Sequence, residues 1–181
     1  MSGTYYRCSN LNGNPVCGEN VINMSRAYYG CQNLQGNYVC GSKVQDMSYA
    51  YYGCYNLSGP FVCGENVTNM ARTYCETRSS RNSIAVCGPN VINMSGAYQG
   101  IRNLTTAVCG PNVTDMSWAY SRCSNLISGE IGPNVQYLNG AYDGCNYLQT
   151  IFYYNSNKII NASNAFSDCS NLIYMPEINL S

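Results

Sequence analysis

The amino-acid sequence predicts a right-handed solenoid of short stacked coils, built mostly from short parallel strands and turns with single helical turns. Three observations support this fold class: one segment recurs eight times along the 181 residues, its period is about 23 residues, and every recurrence places apolar residues at the same positions. Such a period is too short for a pair of long helices or a propeller blade. It fits one solenoid coil that contains a strand.

The coils are defined by a recurring start. Segments that begin at Met1, Met24 and Met47 read MSGTYYRCSNL, MSRAYYGCQNL and MSYAYYGCYNL. Because one coil cannot bury its apolar side alone, stacking has to supply a continuous core. We therefore treat residues 1–181 as a single domain with coils at 1–23, 24–46, 47–69, 70–93, 94–115, 116–137, 138–161 and 162–181.

Apolar residues recur at equivalent positions of successive coils, and each such set, called a column here, predicts what lies in that core. A valine or isoleucine stands three positions before most coil starts, and leucine forms another column. An aromatic residue stands four positions after each start: Tyr5, Tyr28, Tyr51, Tyr74, Tyr98, Tyr120, Tyr142 and Phe166. Because phenylalanine replaces tyrosine once, we interpret this column as a stack of core rings and not as a set of reactive phenols.

The strand of each coil is predicted at the segment that ends in Val-Cys-Gly, as at residues 16–18, 39–41 and 62–64. Successive side chains of a strand point to opposite faces. In the sixth coil the Val-Cys pair is replaced by Glu130-Ile131. A carboxylate at the valine position and an isoleucine at the cysteine position predict that the cysteines face the core and the valines face outward.

Eleven of the twelve cysteines fall in two columns with one residue per coil. This placement favours buried free thiols, acting as small apolar core residues, over a disulfide scaffold, because parallel stacked side chains seldom reach the disulfide dihedral. Free thiols suit folding in a reducing cytosol. No CxxC pair and no histidine occurs, so neither a zinc or iron–sulfur site nor a cysteine nucleophile with its base is expected.

The remaining composition excludes further classes of function. Nine basic residues balance nine acidic residues, so we expect no nucleic-acid binding through bulk positive charge. No triad-like set and no glycine-rich phosphate loop is present, so we expect no enzyme activity and no cofactor. The chain has no apolar segment of about twenty residues and no leader-like start, so we expect neither membrane insertion nor a signal peptide.

The motif Ala-Tyr/Phe-x-x-Cys-x-x-Leu, followed by a strand and by Pro/Glu-Asn-Val-x-x-Met, resembles the BspA-like leucine-rich repeat. Good matches are AYYGCYNL at 50–57 and AFSDCSNL at 165–172. The resemblance covers essentially the whole chain and implies a solenoid like those of bacterial surface adhesins and phage or other virion-associated proteins. Such proteins bind host or matrix components and offer no catalytic residues to transfer. The chain departs from the family pattern in its Val-Cys-Gly segment and in its irregular fourth coil.

Three surfaces are candidates for partner binding, because exposed positions of a solenoid are free to vary on a constant frame. The first is the column one residue after the core aromatic, where the first three coils carry Tyr6, Tyr29 and Tyr52. Tyrosine combines a large contact area with a hydroxyl, which suits recognition of a protein or a sugar. Alternatively, these rings only cover neighbouring coils.

The second surface is the outward ladder of Val16, Val39, Val62, Val86 and Val108. Such an apolar stripe could take a covering partner, or it could pack against other chains of a fibre. Alternatively, Tyr38, Phe61 and flanking loops shield this sheet face.

The third surface is the fourth coil, which carries Arg72, Arg78 and Arg81, together with Arg102 from the fifth coil. Arginine there could bind an anionic glycan or a partner's carboxylate through forked hydrogen bonds. Alternatively, this segment is only a solvated bulge.

These patterns predict a noncatalytic recognition or adhesion module that binds a host or matrix surface protein or glycan. We favour a phage tail fibre or other virion component, because no leader is apparent and the cysteine columns look reduced. A secreted bacterial adhesin, a structural spacer in a larger fibre and an intracellular scaffold are the alternatives. The outermost coils lack polar caps, so we also expect other subunits or further segments of the same fibre as partners.

Overall fold

A computed structural model describes residues 1–77, 84–154 and 158–174, which wind as a solenoid. Its regular strands within these ranges are β1 Ile84–Val86, β2 Thr106–Val108, β3 Ser128–Ile131 and β4 Thr150–Tyr153. They form one parallel sheet in the order β1-β2-β3-β4. Each strand pairs with the equivalent residues of the next coil, as Ala85 does with Ala107 and Gly129 with Ile151. The predicted solenoid with short parallel strands is confirmed.

The aromatic column forms a continuous stack through the core. Consecutive rings from Tyr5 to Phe166 lie 5.1–6.0 Å apart between centroids and within 22° of parallel. The predicted stack of core rings is confirmed. Its periodicity follows from the repeat, since each coil places its ring directly over that of the previous coil.

The tyrosine hydroxyls have a structural role that the repeat pattern does not predict. From Tyr28 to Tyr142, each hydroxyl crosses the core and donates to a backbone carbonyl twelve residues earlier, as Tyr98 does to Val86 at 2.9 Å and Tyr120 to Val108 at 3.2 Å. Tyr142 makes the same bond to the Glu130 carbonyl at 2.6 Å. Tyrosine therefore dominates the column because its hydroxyl satisfies a backbone acceptor that phenylalanine would leave without this donor.

The first three coils form no strand at their Val-Cys-Gly segments, contrary to the prediction. There the N–H groups of Val16, Val39 and Val62 donate to the next core tyrosine hydroxyl at 2.8–3.2 Å. These donors are consequently not available to a sheet ladder.

The residue before each valine accounts for this difference. It is Pro15, Tyr38 or Phe61 in the first three coils, but alanine or glycine in β1, β2 and β3. Proline has no N–H to donate, and the two large rings take up space beneath the backbone. The strands carry alanine or glycine at this position in β1, β2 and β3 and the aliphatic Ile151 in β4, so it is a proline or a large aromatic ring that accompanies the loss of pairing.

The predicted orientation is confirmed at Val86-Cys87 and at Ile131, the residue that replaces cysteine in the sixth coil. Val86 is 52% exposed whereas Cys87 is 7% exposed, and Ile131 is fully buried. From the second coil onward, close stacking requires the glycine that follows the pair, since a Cβ on Gly41 would lie 2.9 Å from the Cys17 sulfur of the previous coil.

All twelve cysteines are free thiols in the structure. In the column that follows the core aromatic, the five cysteines after Cys8 donate to a backbone carbonyl of the preceding coil, as Cys54 does to Tyr28 at 3.0 Å and Cys145 to Tyr120 at 3.1 Å. Burial raises the pKa of Cys31 to about 11 and that of Cys87 to about 12. These thiols therefore stay protonated at neutral pH and act as hydrogen-bond donors within the core.

We expect thiol reactivity to follow this burial. With Ellman's reagent at pH 8, exposed Cys8 should react first, whereas the six buried cysteines should react only after unfolding in denaturant. A Cys8→Ser variant should lose only the fastest phase. Rapid modification of all twelve thiols in the native protein would contradict this arrangement.

Candidate functional site

Each coil contains two backbone positions with positive φ, on either side of the core aromatic. No pattern of the sequence predicts them. Glycine adopts this conformation freely, whereas a larger residue costs roughly 1–2 kcal/mol. Nine of these positions nevertheless carry other residues: Arg7, Arg26, Tyr49, Arg72, Glu76, Trp118, Arg122, Asn164 and Asp168. Side chains kept at strained positions are candidates for function.

In the first three coils, these positions and the predicted tyrosine column form one surface. We call it the aromatic–arginine face, which consists of Tyr6, Arg7, Arg26, Tyr29, Tyr49 and Tyr52. Its contacts join all six side chains. The structure thus brings Tyr6, Tyr29 and Tyr52 together as predicted from their shared column.

The tyrosines of this face stack on one another. Tyr6 lies 5.0 Å from Tyr29, and Tyr29 lies 4.7 Å from Tyr52, between ring centroids. Tyr49 packs at a tilt against Tyr29 and Tyr52 at 6.2 and 6.0 Å. Because these contacts cover much of the ring faces, the stack presents ring edges and hydroxyls to a partner. Tyr6, at the end of the stack, is 45% exposed.

Two guanidinium groups add positive charge to the same surface. Arg7 lies 5.4 Å from the centroid of Tyr6 and 6.0 Å from that of Tyr29, and Arg26 lies 5.5 Å from that of Tyr49. These are cation–π distances. Burial also raises the pKa of Tyr52, so its hydroxyl remains a neutral hydrogen-bonding group.

A concavity of about 390 Å³ opens beside this stack. Arg7, Ser9, Gln32 and Tyr55 line it together with Tyr29 and Tyr52. Aromatic edges, one cation and polar side chains therefore converge on one depression, which can accept a carboxylate, amide or hydroxyl group from a partner.

The valine ladder lies across the core from this face. The Tyr28 side chain spans the core between the two surfaces. Its hydroxyl donates to the Val16 carbonyl on the valine side, and the next residue, Tyr29, lies on the aromatic–arginine face. Val16 is 59% exposed, and Val39 and Val62 are half-buried.

Tyr38 and Phe61 do not shield the valine ladder, contrary to that part of the alternative. Both rings are buried and pack against core tyrosines, Tyr38 with its edge to Tyr74 at 4.8 Å and Phe61 at 4.9 Å from Tyr74. They precede the outward valines by one position, so they point inward.

The arginine cluster is described only in part, because Arg78 and Arg81 lie outside the described residues. Arg72 donates to the Gln99 side chain at 3.3 Å. Arg102 is exposed in the following coil. Neither belongs to the aromatic–arginine face.

Within residues 1–77, 84–154 and 158–174, no three histidine, cysteine, aspartate or glutamate side chains come together as a potential metal site. The same ranges contain no helix that is long and apolar enough to cross a membrane.

The coils and their sheet define the fold as a leucine-rich-repeat solenoid. A leucine-rich repeat protein from Bacteroides ovatus superposes with a TM-score of 0.70 over 88% of this chain at 13% identity. The leucine-rich repeat protein TpLRR from T. pallidum superposes with a TM-score of 0.68 over 90% of this chain at 19% identity. The chain spans 41% of the first protein's length and 75% of the second's. No family model and no curated protein matches the sequence.

Proposed function

We propose that this protein is a noncatalytic recognition module that binds a host or matrix surface protein or glycan through its aromatic–arginine face. The observation that carries this proposal is the ladder of Tyr6, Tyr29 and Tyr52 beside a concavity that also contains Arg7. Tyrosine and arginine are the residues that most often dominate binding energy at interfaces.

Within this function, our preferred assignment is a phage tail-fibre or other virion component, and a secreted bacterial surface adhesin is the alternative. The twelve free thiols support folding in a reducing cytosol before assembly. Both assignments place the protein on an exterior surface, on a virion or on a cell.

A structural role in a larger fibre is supported by a separate observation. Ile84, Val86 and Phe152 are exposed on the outer face of the sheet. An apolar sheet face of this kind favours contact with another chain. A spacer role would leave attachment independent of the tyrosine ladder, whereas recognition requires that ladder.

The triple variant Tyr6→Ser/Tyr29→Ser/Tyr52→Ser tests recognition. Attachment of the fluorescently labelled protein is measured by flow cytometry on a panel of bacterial and epithelial cells. We expect the variant to lose at least tenfold in apparent affinity, because several large contact groups disappear together.

The matched control changes three exposed tyrosines outside the face, Tyr147→Ser/Tyr154→Ser/Tyr174→Ser. It should bind like the unaltered protein. Equal attachment by both triple variants, or no attachment of the unaltered protein to any cell type, would reject the proposal.

A further inference from the structure

A second groove, of about 790 Å³, runs along the solenoid and shares no lining residue with the aromatic–arginine concavity. It flanks the buried column of Val67, Val91, Val113 and Val135. The residues on either side of each buried valine, such as Asn66 and Thr68, therefore point outward and form the two walls. We call this feature the amide groove.

One wall is a row of asparagines that the backbone holds in place. The Nδ2 groups of Asn66, Asn90, Asn112 and Asn134 each donate to a carbonyl of the preceding coil at 2.7–2.9 Å. The Oδ1 of Asn134 also accepts a bond from Lys158 at 2.6 Å. Within the described ranges, the other three Oδ1 atoms have no donor, so the groove offers a preorganised row of acceptors repeated at about the 4.8 Å strand spacing.

The opposite wall supplies side-chain hydrogen-bond donors, but the backbone N–H groups of its two glutamines are already hydrogen-bonded. The side-chain amides of Gln45 and Gln136 have no hydrogen-bond partner among the described residues, and both line the groove. Their backbone N–H groups are already used between coils, Gln45 to Ile22 and Gln136 to Thr114, each at 2.8 Å. A peptide therefore cannot extend this wall by strand addition, which needs unpaired backbone groups.

The charge of the groove further restricts the ligand. The lining contains no carboxylate, and its one cation, Lys158, is bonded to Asn134 at one end. Exposed Ile92 contributes an apolar patch midway along the groove. A ligand that complements this surface is an uncharged chain whose groups both donate and accept hydrogen bonds. It also contains rings whose C–H faces can contact the apolar patch.

We propose that the amide groove is a binding site for a linear neutral glycan, separate from the aromatic–arginine face. Sugar hydroxyls donate to the asparagine Oδ1 row and accept from the glutamine amides. Several coils contribute equivalent groups, so affinity increases with the number of sugar units until the groove is filled.

The test is isothermal titration calorimetry of the full chain with maltohexaose, cellohexaose and chitohexaose. We expect at least one hexasaccharide to bind and its disaccharide to bind at least tenfold more weakly. Gln45→Ala/Gln136→Ala should weaken hexasaccharide binding at least tenfold. The matched control, Gln35→Ala/Gln149→Ala, changes exposed glutamines outside the groove and should bind normally.

The same titrations separate this site from the proposed cell-binding face. The Tyr6→Ser/Tyr29→Ser/Tyr52→Ser variant should bind the hexasaccharide normally while losing cell attachment. Binding of none of the three hexasaccharides at millimolar concentration, equal binding by both glutamine variants, or capture only of peptides from a neutral peptide pool would overturn the inference.

Discussion

Replacing Tyr120 with alanine should lower the free energy of unfolding by about 3–5 kcal/mol. Tyr120 is fully buried and lies 5.5 Å from both Tyr98 and Tyr142 between ring centroids. Its removal leaves a cavity in the continuous stack and deprives the Val108 carbonyl of its hydroxyl donor. Since small domains have total stabilities of about 5–15 kcal/mol, we expect a large loss of folded protein near 37 °C.

Two further variants separate the ring from its hydroxyl in urea titrations followed by circular dichroism. Tyr120→Phe keeps the stack and should cost about 1 kcal/mol for the lost hydrogen bond. Tyr147→Ala removes an exposed tyrosine of the next coil and should stay within about 0.5 kcal/mol of the unaltered protein. A loss for Tyr120→Ala no greater than that for Tyr147→Ala would contradict the role of the stack.

The second large effect is expected at alkaline pH. Burial raises the pKa of Cys31, Cys63 and Cys169 to about 11, and that of Cys87 and Cys109 to about 12, from an ordinary value of 9.0. Between pH 9 and pH 11 the folded chain therefore holds more protons than the unfolded chain. Stability should be constant below about pH 8 and should fall steeply as the pH rises above 9.

The measurement is the urea midpoint between pH 6 and pH 11, together with the proton release on unfolding at pH 10. Cys87→Ala removes one such thiol and should make the decline above pH 9 shallower. An unchanged midpoint between pH 7 and pH 10 would contradict the protonated thiol columns. The decline should exceed that of a small protein without buried thiols, because several groups titrate together.

The candidate site was predictable only where its residues share a column. Tyr6, Tyr29 and Tyr52 stand at one position of successive coils, so their contact follows from stacking alone. Arg26 and Tyr49 also share a column, but glycine occupies it in other coils and hides the pattern. Their position beside the ladder depends on a positive-φ turn that the residue types do not suggest.

The amide groove shows the same limit. Its asparagines recur at one position of successive coils, as Asn66, Asn90, Asn112 and Asn134, but no pattern of the sequence distinguishes a groove there. That the asparagines hold their Nδ2 groups against the preceding coil, and leave their oxygens in a groove, depends on contacts between residues more than twenty positions apart.

The sequence by itself determined the solenoid, its stacked aromatic core and the columns of thiols, because a repeat of constant length superposes equivalent residues whatever the details of each coil. Only the tertiary structure decided which coils form strands and where the tyrosine hydroxyls bind. Those outcomes depend on distances across the core, where an inward Tyr38 or Phe61 takes up space that Ala85 and Ala107 leave free. Packing across the core depends on residues from different columns, so no single column predicts it. That packing determines which surfaces are available to a partner.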